Sequence, residues 1–270
     1  MTRRINQVFK HARTAGRKVL IPYIMAGDPN MDTTCALVEA IDRAGADVIE
    51  LGVPFSDPIA DGPVILRAAM RSLTHDTSLA ETLRTVEKLR QVTQIPIVFM
   101  TYYNLIYQYG EEAFARDAVA AGVDGVIIPD LPPEEGANLI SAARENGLAT
   151  IFLLAPTSNE ARITRVCRQA TGFVYYVSIT GITGARITDQ QDVAECINRI
   201  RQHTTKPIAV GFGISTPEQA RSIGQMADGV IVGSALVRII EEQEEAGAGK
   251  DAVVRAAAEF VGSLRTALDR

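Results

Sequence analysis

From residue 19 to residue 233 the chain alternates short apolar runs with amphipathic helical patterns, and that alternation restricts its fold more than any other feature. The runs cover 19–25, 46–53, 96–103, 125–130, 150–155, 173–179, 207–211 and 229–233. Most are β-branched and bounded by Gly, Pro or Asp, as buried strands are. Helical periodicity fills the gaps, at 33–44, 112–121, 133–146, 158–169, 189–202 and 217–225. Such alternation requires parallel pairing and right-handed crossovers. Eight units predict an α/β fold, a closed (β/α)8 TIM barrel; a doubly wound open sheet is the alternative. An internal echo favours the barrel. Ala44-Gly45-Ala46-Asp47, Ala121-Gly122-Val123-Asp124 and Ala227-Asp228 each end a helix and launch a strand, with Gly suited to a left-handed helix cap.

Two departures stand out against this repeat. An extra N-terminal helix over 3–15 precedes the first strand and is placed to plug the bottom of the barrel. The connection after strand 2 is a long insertion, with room for helices over 63–73 and 78–91, and active-site covers are built from such loops. No linker divides the chain, and the acidic stretch 241–250 reads as a solvated turn, so residues 1–270 are expected to form a single domain. The 47% apolar content supplies a large core. A net charge of −5 and no run of Lys or Arg argue against nucleic acid. No apolar run approaches the roughly 20 residues of a membrane helix, and the first residues lack the apolar core of a signal peptide. The scattered cysteines Cys35, Cys167 and Cys196 suit reduced thiols. A soluble cytoplasmic protein is expected.

The second strand carries the most telling residue. Side chains alternate along a strand, so Val48, Glu50 and Gly52 share one face, and Ile49, Leu51 and Val53 the other. Both faces are otherwise apolar, as in a parallel strand covered on two sides. A carboxylate there loses hydration and must find partners or hold its proton. Eleven positions on lies Asp61, in a loop rich in Pro, Gly and Asp. Glu50 and Asp61 together are material for general acid–base chemistry. Asp61 has a duller reading as a helix N-cap ahead of Gly62 and Pro63, and Asp130 one as a helix start.

Glycine-rich turns follow the last three strands, at 180–186, 211–217 and 233–235. Each could simply serve a tight turn. Three in succession, two of them after strands seven and eight, match the recurrent phosphate site of eight-stranded barrels, where amides and helix starts meet an anion. They point to a phosphate ester substrate. Histidines occur only at 11, 75 and 203, in helices or helix ends, and no spacing suits a metal. The lysines at 10, 18, 88, 206 and 250 lie off the inner wall and top, so no Schiff base is expected. Carbon–carbon cleavage would then need a substrate carrying its own electron sink. The remaining proton-transfer candidates are Glu50, Asp61, Asp130 and the tyrosines 23, 102, 103, 175 and 176. Tyr175 and Tyr176 fall on opposite strand faces, one to the barrel and one to the helices.

The stretch from Ile49 to Gly62, Ile-Glu-Leu-Gly-Val-Pro-Phe-Ser-Asp-Pro-Ile-Ala-Asp-Gly, resembles the signature of the tryptophan synthase alpha chain family. Agreement extends through Gly27-Asp28-Pro29, Met100-Thr101-Tyr102-Tyr103-Asn104, Pro129-Asp130-Leu131-Pro132, Ser178–Ala185 with its Thr183-Gly184, Gly211-Phe212-Gly213-Ile214-Ser215 and Gly233-Ser234. The resemblance implies a barrel lyase that cleaves indole-3-glycerol phosphate to indole and glyceraldehyde 3-phosphate. It implies a pyridoxal-phosphate beta chain as partner, in an alpha2beta2 heterotetramer, and no cofactor or metal of its own. Glu50 and Asp61 match the family's catalytic carboxylates. Tyr23, Tyr102, Tyr175 and Phe212 match substrate contacts, Gly184, Gly213, Gly233 and Ser234 the phosphate cradle, and Thr183 the loop closing over the site. Pro54, Asp57 and Asp130 match the surface toward the beta chain. Indole would be the electron sink. Rival expectations are a stand-alone lyase without a beta partner, a sugar-phosphate isomerase or epimerase, and a barrel kept only as an activating partner.

Overall fold

A computed structural model describes residues 3–177, 190–211 and 213–270. Its strands are β1 (Val19–Met25), β2 (Ile49–Gly52), β3 (Ile97–Met100), β4 (Gly125–Ile127), β5 (Ala149–Ile151), β6 (Leu153–Leu154), β7 (Val174–Val177), β8 (Ile208–Gly211) and β9 (Gly229–Val232). Every pairing is parallel, in the order β5-β4-β3-β2-β1-β9-β8-β7-β6. The order begins and ends on β5 and β6, which are separated in the chain by Phe152 alone. They are the two halves of the single strand expected over 150–155. The first half bonds to β4 and the second to β7, as the stagger of barrel strands requires, and the Phe152 carbonyl accepts the Tyr175 N–H at 3.1 Å. The sheet is therefore an eight-pass TIM barrel.

The echoed aspartates have a physical use. Asp47, Asp124 and Asp228 stand at the bottom of β2, β4 and β9, and each accepts a backbone N–H from the neighbouring strand, of Leu20 at 2.9 Å, Ile97 at 3.0 Å and Ile208 at 2.9 Å. Each carboxylate supplies an acceptor where the ladder starts. Arg265 on the last helix, α12 (Lys250–Leu268), also donates to Asp47, and Arg90 to Asp124. The first helix, α1 (Arg3–Thr14), sends Ile5, Phe9 and Ala12 into the interior cluster of Val19, Val48, Val98 and Phe173, with the Phe9 and Phe173 rings 5.5 Å apart. It plugs the barrel's bottom, and each large side chain it buries contributes about 1.5–3 kcal/mol.

The insertion holds α3 (Pro63–Leu73) and α4 (Leu79–Leu89), close to the expected bounds. Elsewhere the expected bounds were too generous. The third strand ends at Met100, and Tyr103 already begins a short helix, α5 (Tyr103–Tyr109). The cause is distant in sequence: both carboxylate oxygens of Asp130 accept the Tyr103 N–H, at 3.0 and 3.3 Å. Asp130 thus stands at a helix start, but not that of the helix it precedes. That one, α7 (Ala137–Asn146), has Gly136 at its N-cap position and starts later than expected.

Candidate active site

The inner face of β1 and β2 sets Tyr23 beside Glu50 in register, and Tyr175 lines the same interior from β7. Tyr176, one residue on, packs outward among helices. All three inner side chains are buried, Glu50 to 1% exposure. Room for the tyrosines comes from two glycines at inward positions higher on neighbouring strands. A Cβ on Gly52 would collide with the Tyr23 hydroxyl, and one on Gly211 with the Tyr175 hydroxyl. Neither glycine is read from the sequence as making room for a tyrosine, although Gly inside a strand signals such a close approach. Tyr23 also touches Met25 and, with Val64, Ala68, Ala69 and Val237, belongs to a cluster joining β1 to the helices above.

Glu50 Oε2 is buried without a hydrogen-bond partner among the described residues. Desolvation, reinforced by the nearby charge of Asp61, pushes the Glu50 carboxyl up from 4.5 to about 8. Burial also raises Asp61, but only to about 6, because the Tyr102 hydroxyl donates a hydrogen bond to it. The same hydroxyl oxygen accepts the Ala60 N–H at 3.1 Å, and the Phe55 ring stacks on Tyr102 at 5.3 Å. The insertion loop is thereby tied to the start of α5, just beyond β3, with Asp61 delivered to the barrel mouth. Gly62, not Asp61, occupies the N-cap of α3, with Pro63 behind it and no side chain capping the helix. Burial therefore favours a proton on Glu50 over one on Asp61. Two carboxylates whose surroundings drive them apart are suited to divide acid and base roles.

Beyond β8, Gly213 has φ +78°, a left-handed conformation that suits Gly. Gly233 and Ser234 form the N-cap and first position of α11 (Ser234–Glu245), whose first turn holds no acidic residue. A Cβ on Gly233 would lie 3.5 Å from the Tyr23 Cβ, so this helix start adjoins the tyrosine. Its amides and dipole favour an anion. Thr183, Gly184 and Phe212 lie outside the described residues, as does the turn over 180–186. Pro54 is buried at the foot of the insertion loop, while Asp57 is exposed and accepts the Ser56 hydroxyl. Among the described residues no cluster suits a metal ion. Lys18 and Lys206 donate to the carbonyls of Ala227 and Cys167, which keeps both at the barrel bottom.

A barrel that buries a glutamate near a loop aspartate, with a glycine-lined helix start beside them, is built as an acid–base TIM-barrel enzyme for an anionic substrate. Residues 9–268 match the family model described as "Tryptophan synthase alpha chain". Curated relatives described by the same words include one from Geotalea daltonii, 52% identical over 88% of this chain and 90% of its own. Another, from Thioalkalivibrio sulfidiphilus, is 50% identical over 98% and 99%. Among solved structures, tryptophan synthase subunit alpha from Legionella pneumophila superposes with a TM-score of 0.90 at 37% identity, covering 98% of both chains. A Mycobacterium tuberculosis tryptophan synthase structure superposes at 0.89 and 38%, covering 98% and 97%. The chain belongs to the tryptophan synthase alpha chain family.

Proposed function

We propose that Glu50 and Asp61 divide the proton and charge handling in the reaction of this lyase. As the alpha chain of tryptophan synthase, it cleaves indole-3-glycerol phosphate to indole and glyceraldehyde 3-phosphate and pairs with the beta chain. Glu50 enters protonated and delivers its proton to indole C3, converting the ring to an indolenine cation. The ionised Asp61 accepts the indole N–H and stabilises the charge that develops there. The new Glu50 carboxylate then takes the proton of the hydroxyl on the carbon attached to C3. That carbon–oxygen bond becomes the aldehyde, the carbon–carbon bond breaks, and its electron pair returns to the ring. One proton has moved from hydroxyl to C3, and Glu50 is restored. Each such group contributes about 10²–10⁴ in rate.

The observation that carries this reading is a Glu50 carboxyl buried to 1% exposure with Oε2 unpartnered among the described residues, near an Asp61 that the Tyr102 hydroxyl bonds. These surroundings drive the two carboxyls apart, to about 8 and about 6. Tyr23, Tyr102 and Tyr175 would line the indole end, joined by Phe212. Gly213, Gly233 and Ser234, with Gly184, would hold the phosphate, and Thr183 would lie on the closing loop. Pro54, Asp57 and Asp130 would face the beta chain in an alpha2beta2 assembly, with pyridoxal phosphate on the beta side. Residues 1–270 are read as one domain, supported by a single sheet spanning Val19–Val232. No helix among the described residues is long and apolar enough to cross a membrane, and a cytoplasmic location suits a biosynthetic lyase. A stand-alone lyase is not favoured, because the relatives are alpha chains. The test is release of free indole from indole-3-glycerol phosphate by the purified chain, with and without a beta chain. Glu50→Gln is expected to keep substrate binding and lose most turnover; turnover at the wild-type rate would remove Glu50 from the mechanism.

A further inference from the structure

Beside the mouth lies a set of charges that the reaction does not use. Arg71, on α3, forks onto Asp28 with Nε to Oδ1 at 2.7 Å and Nη2 to Oδ2 at 2.9 Å, and its Nη1 reaches Glu241 Oε1 on α11. Arg67, one turn earlier on α3, forks onto the same Glu241 at 2.7 Å twice. Asp28 and Glu241 are only 2% and 5% exposed. Three elements meet here, and each carries a different part of the site. Asp28 follows β1, which bears Tyr23. Helix α3 begins directly behind Asp61, and α11 begins at Gly233 and Ser234, two turns before Glu241. The Ser72 hydroxyl donates to the Ala26 carbonyl at 2.6 Å, and Val64, Ala68, Ala69 and Val237 pack beneath the charges.

Buried ion pairs add little net stability, since desolvation offsets most of their attraction. What a bidentate fork does supply is geometry, with planar groups held in one orientation. We propose that Arg71 is a positioning residue for the cleavage, a strut that holds the Asp61 end of α3 at a set distance from the anion-binding end of α11. The inference rests on the functional reading above. It deepens that reading by naming what keeps the indole end and the phosphate end of the substrate in step. A misplacement of about 1 Å between such ends can cost on the order of 100-fold in rate.

The experiment compares wild type, Arg71→Met, Arg71→Lys and Glu241→Gln well below their melting temperatures. It measures kcat and KM for indole-3-glycerol phosphate and the inhibition constant of glycerol 3-phosphate, a probe of the phosphate end alone. Arg71→Met is expected to lower kcat by about 10- to 100-fold. The glycerol 3-phosphate constant should stay within about 3-fold, because each end remains intact and only their spacing loosens. Arg71→Lys, which keeps the charge but not the fork, should recover part of kcat. Wild-type kcat and KM in Arg71→Met would overturn the inference, as would an equal loss of glycerol 3-phosphate binding, which would mean that α11 itself had come apart. If Arg71→Met does not fold, Arg71→Lys and Glu241→Gln carry the same comparison, with wild-type kinetics in both as the refuting result. A wild type that releases no indole would instead refute the functional reading.

Discussion

Replacing Glu50 by Gln should make the protein's stability less sensitive to alkali, and the size of the effect follows from where the carboxyl sits. At 1% exposure Glu50 is held near 8 in the folded chain, against 4.5 for an ordinary glutamate. Its folded value is raised, so between those two pH values the folded protein keeps a proton that the unfolded chain has released. The stabilisation is complete below about 4.5 and disappears as pH climbs through about 8. Linkage gives about 1.4 kcal/mol per pH unit for one proton, so raising the pH from 5 to 8 costs the wild type about 4 kcal/mol through this group. Gln has no proton to release. Asp61 is present in both proteins, and its own titration cancels to first order in the comparison. For a chain of this size that is a Tm difference on the order of 10 °C opening between acid and alkali. Urea or thermal unfolding of both proteins at pH 5, 6.5 and 8 measures it. Only the change in the difference matters, because the substitution also shifts the baseline. Parallel curves would mean that Glu50 titrates like an exposed glutamate, and the acid assigned to indole C3 would be lost with it.

The same pair predicts a bell-shaped kcat/KM, rising as Asp61 ionises near 6 and falling as Glu50 loses its proton near 8; a profile flat from pH 5 to 9 would contradict it. Asp61→Asn should lower kcat by about 10²–10⁴ with the fold intact, and a near-normal rate would leave the aspartate as a loop anchor only. Gly52→Ala should cost about 1–3 kcal/mol and raise KM, since the added carbon displaces Tyr23; unchanged Tm and KM would put the tyrosine elsewhere. Asp124→Ala should cost about 3 kcal/mol in urea unfolding, by removing the carboxylate partner of Arg90 and the acceptor of the Ile97 N–H, yet leave kcat untouched because Asp124 lies at the opposite end of the barrel. A stability loss under about 0.5 kcal/mol would show the clamp to be idle.

Much of the architecture was readable from local pattern. Alternation of strand and helix favoured the barrel over an open sheet, period-two alternation put Glu50 and Gly52 on one strand face and Ile49 and Leu51 on the other, and the same rule separated Tyr175 from Tyr176. Proline and glycine placed the start of α3 within a residue of its observed bound. These features depend on neighbours two to four positions apart, so the chain's own order carries them. Tertiary structure decided the rest. Asp61 could equally have capped a helix until Tyr102, 41 residues on, supplied the hydroxyl that holds it at the mouth. Asp130 caps α5 from 27 residues away, which ended the third strand earlier than its sequence suggested. The split of the fifth strand follows from barrel stagger. The proton on Glu50 is a property of burial, and the grouping of Asp28, Arg71 and Glu241 spans Asp28–Glu241, most of the chain. Which residues share a strand face is settled by backbone geometry alone, and which face turns inward by packing. How much water and charge surround a side chain there is settled only when distant segments have packed around it.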